Sequence, residues 1–252
     1  MLAHQMLGPS TNLPRLVLAH GFTQNGRCWG EFGDIVADSF DVTVIDAPGH
    51  GWSGHDNASL QEAGELIVQA GGPAHYVGYS MGGRMLLHKA LNDQLGEIRS
   101  LILIGATPGI ESVAERAERK AEDNRRADRV MQLGAPAFIE EWLSQPMFAH
   151  LTDEQSAKVK RFENAADGMA ASLRNCGTGS QESLWPYLGS LRMPVLILAG
   201  SQDTKYAEIG QRMVDTIGSN ARYVTIEGGH AVHLENPAVT AAVIASWGKQ
   251  LS

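Results

Sequence analysis

The sequence has little of several features that mark particular classes of protein. Its two cysteines, Cys28 and Cys176, are too far apart for a metal or redox motif. Basic residues are outnumbered, 20 against 28 acidic ones, and the formal net charge of -8 argues against nucleic acid and anionic membranes as partners. No apolar run approaches the roughly 20 residues of a membrane span. Met1 to Pro14 lacks the basic start and apolar core of a signal peptide. We therefore expect a cytoplasmic protein with no metal and no cofactor.

The residues that are present predict one α/β domain. Hydrophobic residues make up 43% of the chain and charged residues 19%, as in globular proteins. Continuous apolar runs, typical of strands buried on both faces, alternate with helical patterns, which indicates a mostly parallel sheet with helices on both faces. The predicted strands are Arg15 to Ala19, Phe40 to Ile45, Ala74 to Val77, Ser100 to Gly105, Pro194 to Ala199 and Ala221 to Ile226. The predicted helices are Ser59 to Ala70, Met85 to Leu91, Tyr206 to Ile217 and Pro237 to Leu251.

Residues 109–191 break this alternation. They contain three helix-like stretches, Glu115 to Lys120, Phe138 to Trp142 and Thr152 to Asn164, and no buried-strand run. The segment therefore looks like a helical insertion between two strands of the sheet. Ligands bind outside the carboxyl ends of parallel strands, so an insertion at that edge would cover the site as a lid. We expect a core of residues 1–108 and 192–252 and a helical lid of residues 109–191.

A Gly-x-Ser-x-Gly pattern stands between a strand and a helix, at Gly78 to Gly82. A strand that turns directly into a helix around one serine is typical of a nucleophile elbow. The turn is so tight that side chains at Gly78 and Gly82 would collide. Ser80 would then project over the sheet edge at a helix N-terminus, which favours developing negative charge. The pentapeptide alone is weak support, since small-residue patterns also arise as ordinary glycine-rich turns.

A serine needs an imidazole to take its proton, and the imidazole needs a carboxylate to hold its tautomer. The chain supplies these groups in the order serine, acid, histidine, as Ser80, Asp203 and His230, each just after a predicted strand. His233 is an alternative base. Alternatives also remain open for the acid: Asp203 could instead cap the following helix, and Glu227 or Asp215 could take its place.

Negative charge that develops on a substrate oxygen would need two backbone donors. His20-Gly21-Phe22 follows the first predicted strand, and Met81 follows the serine. The N–H groups of Phe22 and Met81 are the predicted oxyanion hole. The first of these motifs could equally be an ordinary glycine turn.

Together, these motifs resemble the α/β-hydrolase superfamily over the whole chain. Within it, the sequence resembles a family of menaquinone-pathway lyases that eliminate pyruvate. The residues that carry the second resemblance are Gly78 to Arg84, Glu115 to Arg119, Trp142 to Phe148, Leu173 to Trp185 and Asp203 to Tyr206. The Gly-Thr-Gly-x-Gln run that ends before Trp185 is the most specific part, because esterases of the superfamily have no common reason to carry it.

The resemblance implies that the triad acts as a base on a substrate carbon and that no acyl-enzyme forms. The substrate is a small polycarboxylate, which Arg84 and Arg119 would clamp while Tyr79 and Trp142 line the pocket. The family has a third clamp that falls near Arg161, where the spacing before the next asparagine differs. Arginine suits this role because its planar fork binds carboxylates bidentately.

Some of these residues also fit ordinary structural roles. Arg119 could belong to a solvated ion-paired helix, since Glu115 and Asp123 are four residues away on either side. Arg84 could be a surface arginine, and Trp142 could be ordinary lid core. The alternative function is that of a carboxylesterase or lactonase in which Ser80 is acylated. A binding protein without activity is disfavoured, because binding needs no acid behind His230.

Overall fold

The computed structural model describes residues 1–8 and 12–251, and its centre is a seven-stranded sheet. The strand order is β1-β3-β2-β4-β5-β6-β7. Strands β2 to β7 pair in parallel, and β1 joins the edge antiparallel to β3. The strands are β1 His4–Leu7, β2 Arg15–Ala19, β3 Asp41–Ile45, β4 Ala74–Tyr79, β5 Ile98–Ile104, β6 Val195–Gly200 and β7 Ala221–Ile226. The predicted mostly parallel sheet is confirmed.

Helices cover both faces of this sheet, as predicted. Helices α1, α10 and α11 bury one apolar cluster against it, and α2, α3 and α9 bury another. The α-helices are α1 Gly30–Ala37, α2 Leu60–Gly71, α3 Met81–Leu91, α4 Val113–Leu133, α5 Ala135–Leu143, α6 Asp153–Ser156, α7 Lys158–Arg161, α8 Ala166–Cys176, α9 Thr204–Ile217, α10 Val232–Glu235 and α11 Pro237–Gln250. Short 3₁₀ helices lie at Gly51–Ser53, Pro146–Phe148, Thr178–Ser180 and Trp185–Ser190.

Strand β1 and helices α1, α8 and α10 were not predicted from the sequence, and the first two show why. Strand β1 has four residues, of which three are exposed, so it presents no buried run that a pattern could reveal. Helix α1 has eight residues, and it is held by packing of its buried face against α11 rather than by a long periodic stretch. Both elements therefore depend on their tertiary neighbours.

The segment between β5 and β6 contains helices α4 to α8 and no strand among its residues, all of which are described. It has its own apolar cluster, built by α4, α5 and α8. The stretch Thr152 to Asn164, expected as one helical run, is divided into α6 and α7 by Ala157, which adopts a left-handed conformation with φ 51°. We call residues 109–191 the inserted segment.

The parallel strands bring the predicted functional residues to one edge. Ser80 directly follows β4, Asp203 lies three residues after β6, and His230 lies four residues after β7. Phe22 follows β2 by three residues. These are all carboxyl ends, so chain segments far apart in sequence meet there. Within the two described ranges, no helix combines the length and apolar character needed to cross a bilayer.

Candidate active site

Ser80 occupies a strained turn between β4 and α3. Its φ is 49° and its ψ is -105°, a conformation that is costly for a residue with a side chain. The neighbouring glycines allow it: a Cβ on Gly78 would overlap the backbone of Gly83, and a Cβ on Gly82 would overlap the carbonyl of Ala19. The serine hydroxyl is thereby held at the first turn of α3 and points towards the loop that carries His230.

Ser80, His230 and Asp203 form a hydrogen-bonded series. The Nδ1 of His230 lies 2.6 Å from Oδ2 of Asp203, and its Nε2 lies 3.3 Å from Oγ of Ser80. The carboxylate fixes the tautomer in which Nδ1–H donates to Asp203, which leaves Nε2 free to accept the serine proton. The His230 side chain is 2% exposed, and that of Asp203 is 16% exposed. This geometry is suited to general-base activation of the serine.

The alternative base, His233, and the alternative capping role of Asp203 do not fit the geometry. His233 is fully buried against Trp29, Phe32 and Tyr79, and neither ring nitrogen has a partner among the described residues. Burial lowers the pKa of His233 to about 3, so the ring is a poor proton acceptor. Asp203 does stand at the N-cap of α9, but its side chain makes no capping hydrogen bond and turns to His230 instead.

Glu235, which the sequence did not reveal as a site residue, holds the histidine loop. Its carboxylate accepts hydrogen bonds from the backbone N–H groups of Gly229 and Ala231, on either side of His230. The acceptor comes from α10, the short helix directly after the loop. The carboxylate thus fixes the backbone that presents the imidazole.

The predicted oxyanion donors flank the serine. Met81 is the first residue of α3, so its N–H has no carbonyl one turn earlier within the helix. The loop of Phe22 is held in place by Gly21, whose N–H donates to the side chain of Gln24 at 3.0 Å, and by the Gly82 N–H, which donates to the carbonyl of His20 at 3.1 Å. The role of the two N–H groups stays a prediction.

A cavity of about 330 Å³ opens above Ser80. Four basic side chains and two carboxylates line it, so it is locally basic in a protein of net negative charge. Core and inserted segment both contribute to its wall. The lining residues are Phe22, Ser80, Met81, Arg84, Arg119, Asp123, Arg126, Trp142, Gln145, Met147, Ser172, Leu173, Cys176, Gly177, Thr178, Asp203, Lys205 and Tyr206.

Arg84 and Arg119 approach this cavity from different parts of the chain. Arg84, on α3, is 7% exposed, and its Nη1 lies 3.5 Å from Oε1 of Gln181. Burial lowers the pKa of the Arg84 guanidinium. Arg119, on α4, pairs with Asp123 through Nε at 2.8 Å. The pair expected for a solvated helix is present, but Asp123 is only 1% exposed, so this is not a solvated pair.

Trp142 and Tyr79 occupy different positions. Trp142 lines the cavity and stacks edge-on against Phe22, with ring centroids 5.1 Å apart. Tyr79 does not line it, and the prediction that it does needs correction. As the last residue of β4, Tyr79 points beneath the loop of the base, 5.4 Å from the ring of His230 and 4.3 Å from that of His233. It supports the imidazole from below.

Arg161 is not among the side chains that line the cavity either, which corrects its assignment as a third clamp. It is 2% exposed. Its Nη1 donates to Oγ1 of Thr23 at 2.6 Å, and its Nε donates to the carbonyl of Ser156 at 2.7 Å. Thr23 directly follows Phe22 and has a left-handed φ of 67°. The guanidinium therefore supports the loop of the predicted oxyanion hole.

Sequence reasoning missed several polar groups at the cavity, among them Asp123 and Lys205. Gln181 was recognised only as part of a run, and its role was not seen. The structure shows it fully buried, with Nε2 donating to the carbonyl of Thr107 at 3.1 Å and Oε1 facing Arg84. The run singled out Gln181 in the sequence, but nothing in the run indicated that its side chain would face Arg84. In the described part of the chain, no three His, Cys, Asp or Glu side chains are arranged to hold a metal ion.

A serine on a strained strand-to-helix turn, backed by imidazole and carboxylate at the carboxyl edge of a parallel sheet, defines the class of serine-triad enzymes on an α/β sheet. The model of the alpha/beta hydrolase family matches residues 16–243. The chain belongs to the alpha/beta hydrolase family, as the sequence motifs predicted.

Within this family, the chain is similar over nearly its whole length to several characterised or solved proteins. The chain is 30% identical over 241 residues to 2-succinyl-6-hydroxy-2,4-cyclohexadiene-1-carboxylate synthase of Escherichia coli, covering 92% of this chain and 93% of that protein. The solved structure of MenH from S. aureus is similar with a TM-score of 0.90 and 30% identity, over 100% of this chain and 99% of the other. A thermophilic esterase from Thermogutta terrifontis, 24% identical with a TM-score of 0.84 over 99% and 93%, shares the fold.

Proposed function

We propose that this protein is a 2-succinyl-6-hydroxy-2,4-cyclohexadiene-1-carboxylate synthase, a lyase of menaquinone biosynthesis. It would eliminate pyruvate from 2-succinyl-5-enolpyruvyl-6-hydroxy-3-cyclohexene-1-carboxylate. The names and near-complete coverage of the relatives support this function. The observation that carries it is that Arg84 and Arg119 line the same cavity as Ser80.

The charge of the substrate fits that cavity. The ring, the succinyl group and the enolpyruvyl group each carry one carboxylate. Arg84 and Arg119 would each bind one of them through a planar fork, and Trp142 would pack against the ring. Lys205 lines the mouth as an exposed cation and is available to the third. Esters without charge would leave the buried Arg84 unpaired, which is unfavourable.

The first chemical step is removal of a proton from carbon. Ring carbon 2 carries the succinyl ketone, so its C–H bond is acidified by the adjacent carbonyl. His230 takes the proton of Ser80, and the serine oxygen takes the proton of carbon 2. The electrons move onto the ketone oxygen as an enolate, which the N–H groups of Phe22 and Met81 stabilise. Asp203 stabilises the imidazolium that forms.

The second step breaks the bond between ring carbon 5 and the enolpyruvyl oxygen. The enolate collapses to a double bond between carbons 2 and 3, the existing double bond moves to carbons 4 and 5, and the oxygen leaves with its electron pair. The departing enolpyruvate receives the proton and becomes pyruvate. Atoms balance without water, every change is an electron-pair shift, and the proposal assigns the reaction no cofactor and no acyl-enzyme.

The inserted segment, residues 109–191, would act as a helical lid over the core of residues 1–108 and 192–252. It supplies Arg119, Trp142 and Met147 to the cavity wall, opposite Ser80 on the sheet edge. A cover of this kind would exclude water from the enolate.

A cytoplasmic location belongs to the same proposal. Cys28 and Cys176 are both buried free thiols. Unpaired cysteines are usual in a reducing compartment.

The test gives purified protein the enolpyruvyl substrate and, in parallel, p-nitrophenyl acetate. We expect pyruvate release from the first, and loss of that release in Ser80→Ala by a factor of about 10⁴ or more. Ester turnover with an acyl-Ser80 intermediate and no pyruvate would favour a carboxylesterase or lactonase instead.

A further inference from the structure

Asp123 is a buried carboxylate in the cavity wall that the mechanism above does not use. It lies on α4, one turn after Arg119. Its Oδ1 accepts a hydrogen bond from the Nε–H of Arg119 at 2.8 Å, and its Oδ2 accepts one from the backbone N–H of Gly179 at 2.9 Å. Both oxygens are therefore occupied by donors. The Asp123 carboxylate is 1% exposed and both of its oxygens accept hydrogen bonds, so it is held more rigidly than the carboxylate of a surface ion pair.

The turn of Gly177 to Gln181 is shaped to reach this carboxylate. A Cβ on Gly177 would lie 2.6 Å from Oδ2 of Asp123, and a Cβ on Gly179 would overlap the backbone of Lys120. Glycine at both positions lets the turn lie directly against the part of α4 that carries Arg119. This close approach gives a physical reason for the Gly-Thr-Gly run that stood out in the sequence.

The arrangement constrains the Arg119 side chain. Long arginine side chains lose considerable rotamer freedom when they are fixed on a ligand. Here Nε is already fixed by Asp123, and the structure records no other hydrogen bond from Arg119 to any described residue. The four N–H donors on the two terminal nitrogens thus remain for an anion. The planar guanidinium keeps these donors in a fixed relation to the Nε–H.

We propose that Asp123, anchored by the Gly179 backbone, is a positioning residue that orients the Arg119 guanidinium for a substrate carboxylate in the cavity of Ser80. The inference rests on the proposed function only in requiring a polycarboxylate ligand. The inference predicts the direction in which the anion affinity changes when Asp123 is removed. Removing a carboxylate from beside an anion site strengthens anion binding by charge alone, whereas loss of positioning weakens it.

The experiment measures binding of citrate, a tricarboxylate probe, by isothermal titration calorimetry to wild type, Arg119→Ala, Asp123→Ala and the double variant. We expect Arg119→Ala to bind about tenfold or more weakly, as for loss of a charge-assisted hydrogen bond. Asp123→Ala should also bind citrate several-fold more weakly, because an Arg119 side chain that is no longer fixed loses rotamer freedom when it binds the anion. The double variant should be no weaker than Arg119→Ala, because Asp123 acts through Arg119.

A matched control lies on the same helix. Asp128 is exposed and pairs with Arg174 at 2.7 Å, so Asp128→Ala removes the same charge without touching Arg119. It should leave citrate binding within twofold of wild type. Every variant is also treated with a neutral fluorophosphonate, and measurable labelling of Ser80 in Asp123→Ala shows that the fold and the triad are intact. If Asp123→Ala does not fold, Asp123→Asn, of equal size, takes its place in the cycle.

Three results would overturn the inference: unchanged or tighter citrate binding by the Asp123 variant, additive losses in the double variant, or wild type binding no better than Arg119→Ala. Pyruvate release is measured separately. A wild type that binds citrate as expected but releases no pyruvate would count against the proposed function alone.

Discussion

The sheet edge and the inserted segment meet at one cavity but are fixed in different ways. At the edge, Ser80, Asp203 and His230 follow strands whose backbone hydrogen bonds set their positions. A strained turn also orients Ser80, and the carboxylate of Glu235 fixes the loop of His230. In the inserted segment, Arg119 depends on one polar contact with Asp123, and Trp142 on packing with other aromatic rings. The difference suggests that the edge supplies the chemistry while the inserted segment selects the substrate.

If this division holds, changing the acid of the triad should have the largest effect on catalysis and little effect on binding. Asp203→Asn leaves the shape intact but lets Nδ1 of His230 lose its proton, so Nε2 no longer accepts from Ser80. We expect kcat for pyruvate release to fall by about 10⁴. Steady-state kinetics measure the loss. Citrate should bind at least as tightly as it does to wild type, because the substitution removes a negative charge from the cavity wall. A loss below tenfold would contradict the role of Asp203.

Arg84 tests the boundary between the two regions, since it lies on α3 of the core but contacts Gln181 of the inserted segment. Arg84→Ala removes a buried guanidinium from the cavity, and we expect kcat/KM to fall about 100-fold, mainly through KM. Arg84→Lys should recover only part of the lost kcat/KM, because an ammonium group cannot bind a carboxylate bidentately as the planar guanidinium does.

The matched control for Arg84 is on the same helix. Lys89 pairs with Glu65 and Glu97 away from the cavity, so Lys89→Ala should keep its KM. Equal KM changes in the Arg84 and Lys89 variants would mean that general charge, and not the cavity, governs binding.

The smallest expected effect concerns the stability of the core in acid. The pKa of His233 is lowered by burial to about 3, against about 6.5 in an unfolded chain. Between these values the unfolded state binds a proton that the native state does not. The free energy of unfolding therefore falls as pH falls, by about 1.4 kcal/mol per pH unit for this group.

His233→Phe removes the imidazole that binds a proton in the unfolded state, and it keeps an aromatic ring among Trp29, Phe32 and Tyr79. Relative to pH 8, wild type should lose about 2 kcal/mol more at pH 5 than the variant does. Urea unfolding at the two pH values measures the difference. Parallel pH profiles for the two proteins would show that His233 does not carry this acid sensitivity.

The amino-acid sequence alone determined the parallel strands of the sheet, the elbow and the order of serine, acid and histidine. These features arise from local physics: apolar runs become buried strands, and only glycines fit two residues before and two residues after Ser80. Parallel strands then bring their carboxyl ends to one edge, so the sequence pattern alone predicts that residues distant in sequence lie close together there.

Tertiary structure alone decided which polar side chains complete the cavity. Tyr79 and Arg161 turn beneath the site, whereas Asp123 lines the cavity and Gln181 contacts Arg84 from behind the cavity wall. No periodicity records such contacts, because each joins segments that are 50 or more residues apart in sequence, for example Gly179 with Asp123 or Gln181 with Arg84. A side chain's hydrogen-bond partner across that distance depends on how the inserted segment folds on itself and packs on the core, and on nothing local to either residue.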